Sequence, residues 1–308
     1  NTNTAHIAYV DPQQIPRPFR SWCLGLKKEA NMFGACAGGY SSNPKVSNES
    51  LKEALQSSIT DNPQLSFVGK SNYDESLDVL AEAFIDDPLM TWTAGLDDFD
   101  LDYEARRERQ LELNRILLDW QNRPVFAREK GVGVGVRVAS SDYEEEEYLA
   151  GAISMVPGQY NTRSNLNKFL NLIFIGAPPF FTKEKVKYGH GADKRLFECS
   201  KIVVDLKHKW MADTDSNYVY IAAFGVLPND QGKGLGSMLM RAVLKATDSL
   251  NVPVCLGTQS KDNMLMYQHF GFETMEVHEA EVEGTSTKLS VYWMIRSPLG
   301  NGPGTAID

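Results

Sequence analysis

Residues Asn229 to Leu239 read NDQGKGLGSML, and glycines at 232, 234 and 236 leave bare main chain between a strand-like segment and a helix-like one. A helix N-terminus exposes unpaired N–H groups and a partial positive charge, and glycines let those amides close on an anion with no side chain between. The stretch therefore suits phosphate. Spacing narrows the choice. A Walker A loop needs G-x-x-x-x-G-K-[ST], but Gly234 follows Lys233 and Leu227 stands where the first glycine belongs. The dinucleotide fingerprint G-x-G-x-x-G fails as well, because Gly232, Gly234 and Gly236 run G-x-G-x-G, with Leu239 where the last glycine belongs.

What fits is Q-x-x-G-x-G from Gln231 to Gly236, preceded by Val226-x-Pro228. A second stretch, NMLMYQHFGF from Asn263 to Phe272, sets a tyrosine four residues after an asparagine and then x-x-x-G-F. On these motifs the chain resembles the GNAT superfamily of acyl-CoA N-acyltransferases, and its long insertion before Tyr218 is similar to that of fungal-type members. The resemblance is specific over Tyr218 to Phe272 and looser, as element order, from Leu65 to Arg296. It implies an α/β (α+β) GNAT fold: a mixed, mostly antiparallel sheet flanked by helices and splayed at the coenzyme A cleft. It implies acetyl-CoA as cosubstrate, no metal, and a small-molecule or peptide amine as acceptor, in the cytoplasm.

The same resemblance assigns roles. Backbone groups of Phe224 and Val226 pair with the pantetheine amides, and the Val226 N–H faces the thioester oxygen, where it stabilises developing negative charge. Amides of Gln231, Gly232, Lys233, Gly234, Leu235, Gly236 and Ser237 hold the pyrophosphate, and the Lys233 ammonium either adds charge to a phosphate or is simply solvated. Asn263 and Tyr267 share one helix face a turn apart, so both reach one extended ligand. Asn263 binds the pantetheine arm, with helix capping as its alternative. Tyr267 gives a proton to the leaving thiolate as general acid.

The amine must be neutral to attack, and here the sequence departs from many relatives: YVYIAAFGV holds no Glu, Asp or His where a fourth-strand carboxylate often sits. Tyr218, Tyr220, Ser260, Asp86 and Asp87 are the substitutes; His190 and His208 read as structural. Trp92, Phe180 and Phe181 either line an acceptor pocket or pack. Competing readings are a longer acyl donor or a hydroxyl acceptor on the same fold, a coenzyme A sensor without turnover, and a nucleotide binder unrelated to coenzyme A.

These residues need elements to hold them. Residues 1–64 read as an appendage, proline-punctuated at DPQQIPRPFR, with one capped helix in SNESLKEALQSSI. Residues 65–296 read as the acetyltransferase domain with an insertion at 161–217, and 297–308 as a loose tail. A helix over DESLDVLAEAFIDDP turns Leu77, Leu80, Ala81 and Phe84 inward and stops at Pro88; a second turns Leu111, Ile116, Leu117 and Trp120 inward. Strict alternation in VGVGVRVAS, then SDYEEEE and YLAGAISMV, predicts an antiparallel hairpin with an acidic tip, either solvated or a trap for a cation. After YVYIAAFGV come a helix from Ser237, a strand VPVCLGTQ, a helix over NMLMYQHF and two closing strands.

Composition sets the outer limits. The chain has 308 residues, 42% of them hydrophobic, enough for one sizeable core. Its 40 acidic against 31 basic residues give a net charge of -9, which argues against nucleic acid and mildly favours cationic partners. No apolar stretch is long enough to span a bilayer, and Leu170 to Phe181 is cut short by paired prolines. The cysteines, at 23, 36, 199 and 255, lack metal-ligand spacing and suit a reducing compartment.

Overall fold

The computed structural model describes residues 46–127, 130–139, 147–160, 188–189, 191–283 and 287–299. The hairpin tip, the prolines of DPQQIPRPFR, His190, Phe180, Phe181, Cys23 and Cys36 lie outside them. The chain runs α1 (Asn48–Asp61), β1 (Leu65–Val68), α2 (Tyr73–Ala83), α3 (Pro88–Ala94), α4 (Tyr103–Ala127), β2 (Val132–Ala139), β3 (Glu147–Pro157), α5 (Ala192–Met211), β4 (Val219–Val226), α6 (Leu235–Ser249), β5 (Val254–Thr258), α7 (Lys261–His269), β6 (Glu273–Ala280) and β7 (Leu289–Arg296). The strands form one sheet in the order β1-β2-β3-β4-β5-β7-β6, antiparallel throughout except between β4 and β5. This is the mixed, mostly antiparallel sheet that the motifs imply.

Alternation fixes which face each strand gives to the core. Val132, Val134 and Val136 turn to one side, where Leu51 and Leu55 of α1 and Leu239 and Val243 of α6 cover them. Ser47 caps α1: its hydroxyl accepts from the Ser50 amide at 3.1 Å while Ser50 reaches back to the Ser47 amide at 2.9 Å. With Leu51 and Leu55 fully buried, a domain boundary at residue 64 falls inside this body. The opposite face presents small residues, Ala152 and Ala223, to α2 and α4. Gly225 lets α2 approach β4, since a β-carbon there would lie 2.6 Å from that of Ala83.

Two helices depart from the apolar pattern, for physical reasons. The helix expected to run on to Pro88 ends at Ala83, and Pro88 opens α3 instead, at the first-turn position where its missing N–H costs nothing. In α4 the buried stripe is Gln110, Leu113, Asn114, Leu117 and Leu118, whereas Leu111 and Ile116 are half-buried and Trp120 is 38% exposed. Asn114 belongs inside because its amide donates to the carbonyls of Ala81 (3.0 Å) and Phe84 (2.8 Å) where α2 stops. Hydropathy cannot register that service.

The end of β7 is tied to α6 by a charge pair. Arg296, 2% exposed, donates twice to Asp248, at 2.7 and 2.8 Å, and Asp248 also accepts from the Leu299 amide at 2.9 Å. Removing the carboxylate leaves a guanidinium buried without its counter-charge, which costs about 3–5 kcal/mol. Asp248→Ala should therefore lower the urea midpoint with the m-value unchanged; a shift worth under 1 kcal/mol would show that solvent replaces the carboxylate.

Candidate active site

β4 is the strand on which the site turns. Against β3 its register jumps from Ser154↔Ala223 to Met155↔Ile221, which leaves Ala222 as an extra, bulged residue. The bulge-side carbonyl of Ala222 accepts from the Gln121 side chain at 2.7 Å. Against β5, β4 pairs only at Val219↔Val254 and Tyr220↔Cys255. Beyond Tyr220 the two parallel strands part, and the edge of β4 from Ile221 to Val226 is left without a strand partner on that side.

The glycine loop lies at the end of this split. Val226 leads through Leu227 into a short turn at Pro228–Asp230, then Gln231 to Gly234, the cap of α6. Gly232 and Gly234 have φ of +78° and +82°, and a β-carbon on either would meet nothing within 4 Å. The positive φ suits glycine, since L side chains rarely adopt that backbone, and the open space leaves the main chain uncovered there. Gly236 serves packing too, its α-carbon close under Phe224. A cavity of about 440 Å³ is lined by this loop, β4 and α7. Phe224, Val226, Gln231, Gly232, Gly234, Leu235, Gly236, Ser237, Asn263 and Tyr267 all face it.

Lys233 does not. Its ammonium turns back onto Asp230 at 2.7 Å, and the same buried carboxylate accepts from the Tyr148 hydroxyl at 3.0 and 3.1 Å. The Gln231 side chain likewise donates to the Val226 carbonyl at 3.1 Å, binding the loop to the strand it leaves. Asp230, which the motif spacing gives no reason to single out, therefore anchors the loop to β3. Losing two charge-assisted hydrogen bonds should loosen the cradle, so Asp230→Ala is expected to raise the acetyl-CoA KM about tenfold with kcat within about threefold. An unchanged KM would deny the anchor any part in binding.

α7 begins at Ser260, whose hydroxyl accepts from the Asn263 amide at 3.2 Å, so this candidate base is spent as a helix cap. Tyr267, 7% exposed, has its ring against Phe224 and edge-on to Phe272, with centroids at 6.4 and 5.7 Å. Burial, and then the nearby Asp87 charge, holds its phenol protonated well above the usual tyrosine range.

Asp87 is the group that changes the picture. As the cap of α3, one carboxylate oxygen accepts from the amides of Leu89 (2.9 Å) and Met90 (3.3 Å). It lines the loop-side cavity and also a second one of about 260 Å³ between β4, α4 and α5. Desolvation raises its pKa to about 6, although the two amide donors pull the other way. Phe84, Asp87, Phe224, Asn263 and Tyr267 line both cavities and form the junction between them.

The other base candidates fall elsewhere. Asp86 is exposed, and Tyr218 is buried with its phenol pushed up by burial. Tyr220 lines the second cavity, but burial likewise raises it and its ring stacks 6.2 Å from Trp293. Trp92 packs under β7 with its indole N–H donating to the Thr287 carbonyl at 3.1 Å, so Trp120, not Trp92, reaches the cavity. His208 sits in the last turn of α5. Cys199 also lines the second cavity, and burial pushes its thiol up to about 12, which makes it a poor nucleophile. Among the described residues no group of His, Cys, Asp or Glu could hold a metal ion, and no helix is long and apolar enough to cross a membrane.

The chain is similar to several known proteins. An uncharacterized N-acetyltransferase of Schizosaccharomyces pombe is 22% identical over 234 residues, 75% of this chain and 82% of its own. Among solved structures, a polyamine N-acetyltransferase of Drosophila melanogaster is 15% identical with a TM-score of 0.46, over 76% of this chain and 98% of its own. A histone acetyltransferase HPA2 and related acetyltransferase of Corynebacterium glutamicum is 15% identical with a TM-score of 0.42, over 80% and 98%. Over residues 201–272, a span that takes in the split strand, the glycine loop and Tyr267, the chain matches the Acetyltransferase (GNAT) family.

Proposed function

We propose that this protein moves the acetyl group of acetyl-CoA directly to a primary amine, with Asp87 as the base and Tyr267 as the acid. The observation that carries the reading is their meeting at the junction of two cavities, one lined by the glycine loop and one lying between β4, α4 and α5. The diphosphate of coenzyme A lies on the amides from Gln231 to Ser237, and its pantetheine arm takes the place of the strand that β4 lacks beyond Tyr220. An ammonium entering from the second cavity gives a proton to the Asp87 carboxylate, and the freed nitrogen attacks the thioester carbon. The Val226 N–H is the candidate donor to the oxygen as it becomes anionic. As the C–N bond forms and the C–S bond breaks, the nitrogen sheds its surplus proton and sulfur takes one from Tyr267. Asp87 and Tyr267 return to their starting states through solvent, with one proton released per turnover.

Single-turnover mixing with acetyl-CoA and an amine panel, read by mass spectrometry, tests this. The expected outcome is stoichiometric acetyl-amine with no acetyl group left on the protein. Saturable binding of acetyl-CoA with no product from any amine would leave a coenzyme sensor instead. Stabilisation by ATP or NAD but not by coenzyme A would identify another phosphate ligand.

A further inference from the structure

We infer that the acceptor is a small primary amine with a single positive charge and an apolar body, not a polyamine, an amino acid or a peptide terminus. The inference deepens the proposed activity and rests on it. At one end of the second cavity the Asp87 carboxylate supplies a site for a single ammonium. Away from it the described lining carries no charge except Lys207: it is apolar at Leu117, Trp120, Val203 and Val204 and polar but neutral at Gln121, Ser200, Thr258 and Gln259. The other charge in the lining is positive, the Lys207 ammonium, which lies 4.8 Å from the centroid of the Tyr220 ring.

Each competing acceptor meets a specific cost. A diamine held at Asp87 carries its second cation among neutral side chains or toward Lys207, with no second carboxylate among the described lining residues. An α-amino acid places its own carboxylate beside the buried Asp87. A peptide brings unpaired amides into a space of about 260 Å³, just under the roughly 300–1,000 Å³ usual for small-molecule sites. An alkyl or aralkyl monoamine meets none of these, and each methylene it buries adds to binding.

The test is kcat/KM at saturating acetyl-CoA for 2-phenylethylamine and hexylamine against 1,6-diaminohexane, phenylalanine and a short peptide with a free N-terminus. The monoamines are expected to lead each of the others by about 100-fold. Val204→Glu places a second carboxylate in the wall and is expected to narrow the gap between hexylamine and 1,6-diaminohexane by tenfold or more. If the diamine, the amino acid or the peptide is used as well as the monoamines, or if Val204→Glu, folded by circular dichroism, leaves their ratio unmoved, the acceptor class is wrong while acetyl transfer stands. If no amine is acetylated although acetyl-CoA binds, the proposed activity itself is wrong and this inference goes with it.

Discussion

Asp87→Asn is expected to lower kcat/KM by about 100- to 10,000-fold, the usual worth of a general base, and at the same time to raise the melting temperature. The two effects share one cause. Folding takes this carboxylate out of water and lifts its pKa from the ordinary 3.8 to about 6. A group raised in this way favours the folded state only while protonated. Its contribution is whole below pH 4, is lost as pH rises through 6, and above that the charge costs about 2–3 kcal/mol. Asparagine keeps the oxygen that caps α3 through Leu89 and Met90 but carries no charge. The variant should melt about 5 °C higher at pH 8, by the usual conversion for a large domain, and no higher at pH 4.

The same shift sets the rate profile of the native protein. Log kcat/KM should fall with unit slope below pH 6, as Asp87 takes a proton it can no longer accept from the amine. In Asp87→Asn that limb should vanish, leaving a small rate that climbs with pH as free amine becomes available. Calorimetry and the pH profile together decide the case. A variant both active and no more stable would show that the carboxylate is solvated and incidental.

How legible this was in the sequence depends on what each residue answers to. The glycine loop and the Asn263–Tyr267 pair could be read because their spacing is local: a turn, a helix start and one helical repeat, all inside 55 residues from Tyr218 to Phe272. The valine alternation of β2 was legible for the same reason. Asp87 stands in the sequence only as one of several substitutes, since what singles it out is the pair of cavities it shares with Tyr267, 180 positions further along the chain. Its signal was half present in Asp-Pro, a capping residue before a helix-opening proline, but that pairing was read as a stop. Asn114 and Gln121 went unnoticed altogether. Both are polar residues that donate to main-chain carbonyls, of Ala81, Phe84 and Ala222, where a helix ends early and a strand bulges. For Lys233 the sequence leaves a phosphate contact and a solvated side chain open, and it holds no signal for the ion pair its ammonium makes with the buried Asp230 three residues before it.

Tyr267→Phe separates the acid from the base. The phenyl ring keeps its packing on Phe224 and Phe272, so the cavity holds its shape and the acetyl-CoA KM should stay within about threefold. Turnover should fall by about 100-fold, the low end for a general acid, because a thiol of pKa about 8.5 is already a tolerable leaving group. The pH dependence gives the sharper result. Burial, with Asp87 close by, keeps the native phenol protonated beyond the assay range, so kcat should show no alkaline decline up to pH 10. One buried junction thus pushes two groups in the direction each role requires: the carboxylate is poised near 6 to receive a proton, and the phenol never loses its own except to sulfur. A decline near pH 9 that disappears in Tyr267→Phe would mean the phenol ionises freely there, and equal losses in kcat and acetyl-CoA affinity would reduce Tyr267 to a wall of the binding cleft.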